Sequence, residues 1–133
     1  MSKIITPEQV GALVKDGSCI SWTTAGLCGF PEELAIALEK SFLETGHPRD
    51  LWNTHSCGCG DWKTRGMGHV GHEGMVRRHT AGHIGEAPLL GKLVLENKVQ
   101  CHLFPQGVLV HLYRQMAGGK PGVLTKVGLG TYA

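Results

Sequence analysis

The sequence predicts an α/β domain built on a mostly parallel sheet with flanking helices. Short apolar runs rich in strand-forming residues alternate with amphipathic helical patterns along the chain. Most of the runs end in a glycine-containing turn. This alternation is typical of repeated βα units, in which ligands bind beyond the carboxyl ends of the strands. The 133 residues suffice for one small domain with its own core.

The first predicted element is a helix that starts after Thr6. Thr6 serves as the N-cap, Pro7 takes the first helical position, and Gln9 stands where a capping box needs its partner. Gly17 ends the helix because glycine readily adopts the left-handed conformation found just after a helix.

The stretch from Gly17 to Leu38 organises the rest of the chain. A strand is predicted at 19–23, a glycine turn at 25–30, and a helix at 31–44 with proline first and two glutamates in its first turn. Backbone N–H groups at such a helix start bind anions and stabilise developing oxyanions. A plain βα connection with glycines for close packing is the alternative interpretation.

The remaining elements follow the same order. We predict further strands at 51–55, 78–83, 99–103 and 123–127, helices at 88–97 and 108–116, and a short helical turn at 72–76. Three glycine-containing loops are expected at carboxyl ends of strands, and we call residues 25–30, 56–60 and 105–107 the first, second and third rim loops. If adjacent, the rim loops form one site lined by backbone N–H groups.

Charge and cysteine content narrow the functional classes. The net charge is +2 without a basic block, so neither nucleic acid nor a membrane is expected as a partner. No apolar run approaches the roughly 20 residues that span a bilayer, and residues 1–7 lack a signal-peptide core. Five cysteines, an odd number, favour a reduced cytoplasmic protein over a disulfide-bonded secreted one.

A metal site is one alternative that the central sequence leaves open. Its candidate ligands are close together in sequence: His55, Cys57, Cys59, His69 and His72. The C-x-C and H-x-x-H spacings differ from the C-x₂₋₄-C pattern of structural zinc sites. Buried thiols and hydrogen-bonded loop histidines are therefore the favoured interpretation.

Other reactive side chains also have structural interpretations. Arg77 and Arg78 could clamp a phosphate or carboxylate, but a solvated face is favoured. Cys28 could be a nucleophile beside a helix start, but a small residue in a tight turn is favoured. Four glutamates are interpreted as helix-surface residues, and two more have no support as functional groups: first Glu32, Glu33, Glu39 and Glu44, then Glu73 and Glu86.

Three collinear blocks resemble the family I CoA-transferases, which include the propionate/acetate and 3-oxoacid CoA-transferases. The blocks are GLCGFPEE at 26–33, FPQGVL at 104–109 and PGVLTKVGLGT at 121–131. The resemblance runs in order over essentially the whole chain. It implies that residues 1–133 are the N-terminal part of an α-type CoA-transferase domain, with an open half-domain fold.

The resemblance also implies the chemistry. Enzymes of this family move CoA between a short-chain acyl-CoA such as acetyl-CoA and a free carboxylate, in short-chain fatty acid metabolism. A glutamate of the second half forms a glutamyl-CoA thioester in a ping-pong reaction. We therefore expect coenzyme A as a substrate, no metal, no catalytic residue in this chain, and no activity of this segment alone. The implied partners are the C-terminal half or a β-type subunit, in a homo-oligomer.

Eight residues of the rim loops are the substrate and CoA contacts that the resemblance implies: Gly26, Cys28, Gly29, Ser56, Cys57, Gly58, Gln106 and Gly107. The first loop would line the acyl and oxyanion side, and the second would lie near the pantetheine arm. Gln106 would hydrogen-bond near the catalytic glutamate or the thioester oxygen. An acyl-CoA hydrolase of the same family, a non-catalytic fragment and a metal-binding module built on the Cys/His loop stay open as alternatives.

Overall fold

A computed structural model describes residues 4–131 of the chain. Residues 1–3, which belong to the segment examined for a signal peptide, and residues 132–133 lie outside the described part. Within it, four parallel strands form one sheet in the order β1-β2-β3-β4: Cys19–Ser21, Leu51–Thr54, Val76–Ala81 and Gln100–Leu103. The predicted α/β class with a parallel sheet is confirmed.

Helices precede, connect and follow the strands. They are α1 Pro7–Leu13, α2 Glu32–Thr45, α3 Pro88–Leu95 and α4 Gln106–Ala117, with a short 3-10 helix at Met67–Val70. The N-terminal capping prediction for α1 is confirmed, since the Thr6 backbone N–H donates to Gln9 Oε1 at 2.9 Å. The predicted end at Gly17 is wrong, because the helix stops at Leu13 with Val14 as its C-cap. Within residues 4–131, no helix combines the length and apolarity needed to cross a membrane.

Two predicted elements are wrong. The helical turn expected at 72–76 forms earlier, at Met67–Val70, because Val76 already pairs with Leu51 in the sheet. Residues 123–127, all of which the structure describes, form no strand. Leu124 and Val127 are exposed there, and no described strand pairs with the segment to satisfy its backbone groups.

The two faces of the sheet carry different helices. Leu51 of β2 belongs to a buried cluster that includes Leu38 of α2 and Leu90 of α3. Side chains alternate along a strand, so Thr54 lies on the opposite face. There it contacts Tyr113 of α4, with 2.6 Å between the two hydroxyl oxygens. The sheet is therefore covered on both sides, and its carboxyl edge carries the rim loops.

Candidate active site

The first and second rim loops are joined, as expected for loops that follow neighbouring strands. The Gly26 N–H donates to the Gly58 carbonyl at 3.1 Å, and the Cys57 thiol donates to the Thr24 carbonyl at 3.0 Å. Gly26 and Gly29 have φ values of 61° and 76°, which side chains rarely tolerate. The glycines thus shape a tight turn that the second loop holds in place.

Trp22 packs against the first rim loop and holds it against β2. Its side chain is 5% exposed and stacks on Phe30 with ring centroids 5.2 Å apart. The indole Nε1–H donates to Asn53 Oδ1 at 3.3 Å, and the Trp22 backbone N–H donates to Thr54 at 2.9 Å. One residue therefore ties both ends of the turn to β2.

A buried histidine pair supports the second rim loop. His55 Nδ1 hydrogen-bonds to the Cys57 carbonyl, and its Nε2 lies 3.2 Å from His79 Nε2. Burial lowers the pKa of His55, and burial together with His55 lowers the pKa of His79 to about 3. Since a carbonyl only accepts, the neutral His55 carries its proton on Nδ1 and accepts from His79 at Nε2.

The loop that follows β3, residues 82–87, packs under the second rim loop, and the sequence analysis did not include it in the site. A β-carbon at Gly82 would lie 2.5 Å from the Ser56 carbonyl oxygen, and one at Gly58 would lie 2.7 Å from Glu86 Cδ. Glu86 Oε2 is buried and accepts no hydrogen bond from the described residues. Close approach of a neighbouring group, the Ser56 carbonyl at Gly82 and the Glu86 carboxylate at Gly58, explains these two glycines better than turn geometry does.

The third rim loop lies at the same edge but apart from the other two. It follows β4, at the end of the sheet, and the loop 82–87 stands between it and the second rim loop. The Phe104 N–H donates to the Ala81 carbonyl at 3.0 Å, which fixes the start of the loop. Gln106 and Gly107 are exposed at the beginning of α4. The condition that all three rim loops be adjacent is therefore met only by the first and second, because the third follows β4 and the loop after β3 lies between.

Tyr113 is a polar residue near the rim that no sequence motif indicated. Its hydroxyl bonds to Thr54, the last residue of β2, and burial raises the pKa of Tyr113. One feature of the sequence could have indicated this position: Tyr113 is four residues after Leu109, so the two lie on one face of the helix. Leu109 is fully buried, and this face therefore packs against the sheet.

The geometry does not support the metal-binding alternative. Burial raises the pKa of Cys59 to about 11, so this thiol stays protonated. His69 and His72 both bond to Glu39 on α2 instead of facing the cysteines. In the described part of the chain, no group of three or more His, Cys, Asp or Glu side chains is placed to hold a metal ion.

The interpretation of Glu32 and Glu39 as helix-surface residues is wrong. Glu32 Oε1 lies 2.9 Å from His69 Nε2, and Glu39 reaches His69 and His72 at 2.6 Å each. Glu33 and Glu44 are exposed as expected.

The remaining candidates have structural surroundings. Arg78 stacks 5.2 Å above the Trp52 ring and donates to Gln100 Oε1 at 3.3 Å, while Arg77 is exposed. Glu73 accepts from Lys98 at 2.7 Å. Cys28 is exposed on the first rim loop.

Comparison with known proteins establishes the family. The coenzyme A transferase family model matches residues 5–133, and the chain belongs to that family. The caffeate CoA-transferase of Acetobacterium woodii is 45% identical over 99% of this chain and 25% of its own length. The α subunit of an acetoacetyl-CoA:acetate/butyrate CoA transferase from Clostridium acetobutylicum is 34% identical over 98% of this chain and 56% of that subunit.

Solved structures agree with this assignment. The acyl-CoA transferase YdiF of Escherichia coli O157:H7, solved as a thioester complex with CoA, superposes with a TM-score of 0.92 at 29% identity. The match covers 96% of this chain and 25% of YdiF. The sequence resemblance to CoA-transferases is therefore confirmed, and the chain spans about a quarter of the length of the caffeate CoA-transferase and of YdiF.

Proposed function

We propose that the chain is the N-terminal part of an enzyme that transfers CoA between a short-chain acyl-CoA and a free carboxylate. The observation that carries the proposal is the joined pair of glycine loops at the carboxyl edge of a coenzyme A transferase fold. Preorganised backbone N–H groups at such an edge stabilise charge that develops on a thioester oxygen. Residues 1–133 then form part of an α-type domain that works with a second half or a β-type subunit.

The proposed reaction has two half-reactions, and its nucleophile is a glutamate outside this chain. The glutamate carboxylate attacks the thioester carbonyl and expels the CoA thiolate, which leaves an acyl-glutamyl anhydride. The thiolate then attacks the glutamyl carbonyl, releases the acyl group as a carboxylate, and forms the glutamyl-CoA thioester. An acceptor carboxylate reverses these steps and leaves as the new acyl-CoA.

The rim loops contribute binding and orientation in this scheme. The N–H groups of Gly26 and Cys28 already donate to Gly58 and Ala25, so these two residues fix the shape of the first loop. We assign the amide that faces the developing oxyanion to Gly29. Ser56, Cys57 and Gly58 of the second loop contact the pantetheine arm.

Gln106 takes a separate role because its loop is separate. Its side-chain amide donates to the thioester oxygen or to the catalytic glutamate, and Gly107 leaves room for that contact. We further propose a cytoplasmic location, which the five free cysteines support, and a homo-oligomeric assembly.

An acceptor-competition assay tests the function. The natively purified protein, with any chain that co-purifies, is given acetyl-CoA and propionate, and propionyl-CoA and free CoA are separated and quantified. We expect propionyl-CoA to form, and Gly29→Ala to reduce its rate by about 100-fold because the positive φ and the donor geometry are disturbed. Gly91→Ala is the control, since a β-carbon there meets no atom within 4 Å.

The assay also separates the alternatives. Release of free CoA without propionyl-CoA would mean that water is the acceptor and the protein is a hydrolase. Turnover by the isolated 133-residue chain would contradict the assignment of the nucleophile to another part.

A further inference from the structure

A four-residue network that the proposed mechanism does not use lies between α2 and the segment that follows the second rim loop. Glu32 and Glu39 come from α2, and His69 and His72 come from that segment. His69 Nε2 is 2.9 Å from Glu32 Oε1, and His69 Nδ1 is 2.6 Å from Glu39 Oε2. The other Glu39 oxygen is 2.6 Å from His72 Nε2. The exposed fraction of the His69 side chain is only 12%.

The geometry fixes the protonation of His69. Each ring nitrogen faces a carboxylate oxygen, which only accepts, so both nitrogens must carry a proton. The ring is therefore an imidazolium between two carboxylates. Burial lowers the pKa of His69, but the bonds to Glu39 and Glu32 outweigh it and hold that pKa above its ordinary value of 6.5.

Glu32 connects this imidazolium to the rim loops. Its second oxygen, Oε2, accepts the Gly66 N–H at 3.2 Å. Gly66 has φ of 64°, and a β-carbon there would meet Leu27 Cδ2, the Cys59 carbonyl oxygen and Gly60 Cα, each at 3.0 Å. Gly66 therefore occupies the point where the first and second rim loops meet.

No other ionisable side chain bonds to His69 in the described residues. Glu32 and Glu39 approach from α2, and His72 lies on the same segment and shares Glu39. The third neighbour, α3, contributes apolar Leu89 and the Leu90 backbone, which lie near Gly71. The charge state of His69 is thus set by the two carboxylates.

We propose that Glu32 and His69 are positioning residues that hold the first and second rim loops in place for the CoA thioester. We call the chain of contacts from the protonated His69 ring through Glu32 to the Gly66 N–H the clamp. The inference rests on the proposed function for its effect on catalysis. The His69 proton is lost from Nε2, because its 2.9 Å bond to Glu32 is longer than the 2.6 Å bond from Nδ1 to Glu39. A lone pair then faces the Glu32 carboxylate, which frees Glu32 and with it Gly66. Because Gly66 contacts both rim loops, release of Gly66 loosens both loops together.

The decisive variant is Glu32→Gln. Its amide can donate to the neutral His69 ring while its oxygen still accepts from Gly66, so the clamp no longer needs the His69 proton. In the wild-type enzyme we expect kcat to fall by about tenfold as pH rises through the pKa of His69, because misplaced groups slow the reaction. In Glu32→Gln that fall should disappear. In Glu32→Ala we expect kcat to be about tenfold lower at every pH than the wild-type value at low pH, with little change in KM.

Glu33→Gln is the matched control, because Glu33 is the exposed neighbour on α2. It should keep the wild-type pH profile. A Glu32→Gln enzyme that retains the alkaline fall, or a Glu32→Ala enzyme with wild-type kcat, would overturn the proposal. A purely structural role of Glu32 would not produce the rescue at high pH.

A measurement without turnover separates failure of this inference from failure of the proposed function. Histidine NMR signals of the natively purified wild-type protein should give a His69 pKa above 6.5, and the Gly66 amide should shift as His69 titrates. A His69 pKa at or below 6.5 would overturn the clamp even if the enzyme transfers CoA. A wild-type protein without transferase activity but with these NMR properties would refute only the proposed function.

Discussion

Gly82→Ala is the sharpest test of how the second rim loop is supported. Gly82 directly follows β3, and a β-carbon there would lie 2.5 Å from the Ser56 carbonyl oxygen and 3.6 Å from Cys57 Cα. Since real β-carbons essentially never approach another atom to within 3.0 Å, the backbone on one side must move. Both neighbours are main chain, so a side-chain rotation cannot relieve the contact.

The expected cost is that of forcing an extra methyl group into a packed site, about 2 kcal/mol. In a domain of this size that lowers Tm by roughly 8 °C. The loop displacement should also weaken CoA binding, because the second rim loop carries the proposed pantetheine contacts. Thermal unfolding followed by circular dichroism measures the first effect, and titration with CoA measures the second.

Gly91→Ala supplies a control with the opposite sign. Gly91 lies in α3 with no atom within 4 Å of the added carbon, so alanine should stabilise the helix by about 1 kcal/mol. If Gly82→Ala and Gly91→Ala shifted Tm alike, the close approach of Gly82 to the second rim loop would be refuted.

Three further predictions concern polar and titratable side chains. The pKa of His69 is raised in the folded protein, so His69 contributes stability below pH 6.5, and this contribution is lost as the pH rises through the folded-state pKa. The pKa of Glu39 is lowered, so Glu39 contributes stability above pH 4.5, and this contribution is lost as the pH falls through the folded-state pKa. Urea unfolding at a series of pH values should therefore show the largest contribution of this pair between 4.5 and 6.5, and a contribution that peaks above pH 8 would contradict this. Iodoacetamide at neutral pH should label exposed Cys28 well before Cys59, whose pKa is raised to about 11 by burial, and mass spectrometry of the peptides would expose the reverse order. Tyr113→Phe should cost about 1 kcal/mol of unfolding free energy through the lost hydroxyl bond, and no change in urea midpoint would refute that bond.

The sequence was sufficient to predict the succession of most strands and helices along the chain and the glycine loops that follow β1 and β2. Local patterns carry that information, because glycines after a strand and capping residues before a helix act within a few residues. The fifth strand at 123–127 was wrong because strand-forming residues such as Val123 and Val127 say nothing about a partner strand. Pairing is a property of the sheet, and the pattern alone could not supply it.

The support beneath the loops depends on contacts that are distant in sequence. Glu32 and Glu39 were interpreted as surface residues, yet they bond to histidines 30 or more positions later. A signal was present: the two glutamates are seven residues apart, on the same helical stripe as Ala35 and Phe42. Carboxylates on a helix face that packs against the protein need a hydrogen-bonding partner. Only the folded structure shows that this partner is His69.

Gln106 illustrates a different limit. Its motif located it correctly at the carboxyl end of a strand, but the number of strands between that loop and the others depends on the strand order. The close packing of Glu86 against Gly58 could not be predicted from local pattern either, since the two residues are 28 positions apart and Glu86 belongs to no motif.

The central claim is that this chain shapes the CoA site while the nucleophile lies elsewhere. The most direct measurement is peptide mapping by mass spectrometry after the natively purified protein has been mixed with acyl-CoA and quenched in acid. We predict a CoA adduct on a glutamate outside residues 1–133 and none within them. An adduct on a glutamate of this chain, or steady hydrolysis with no adduct on any peptide, would contradict the account.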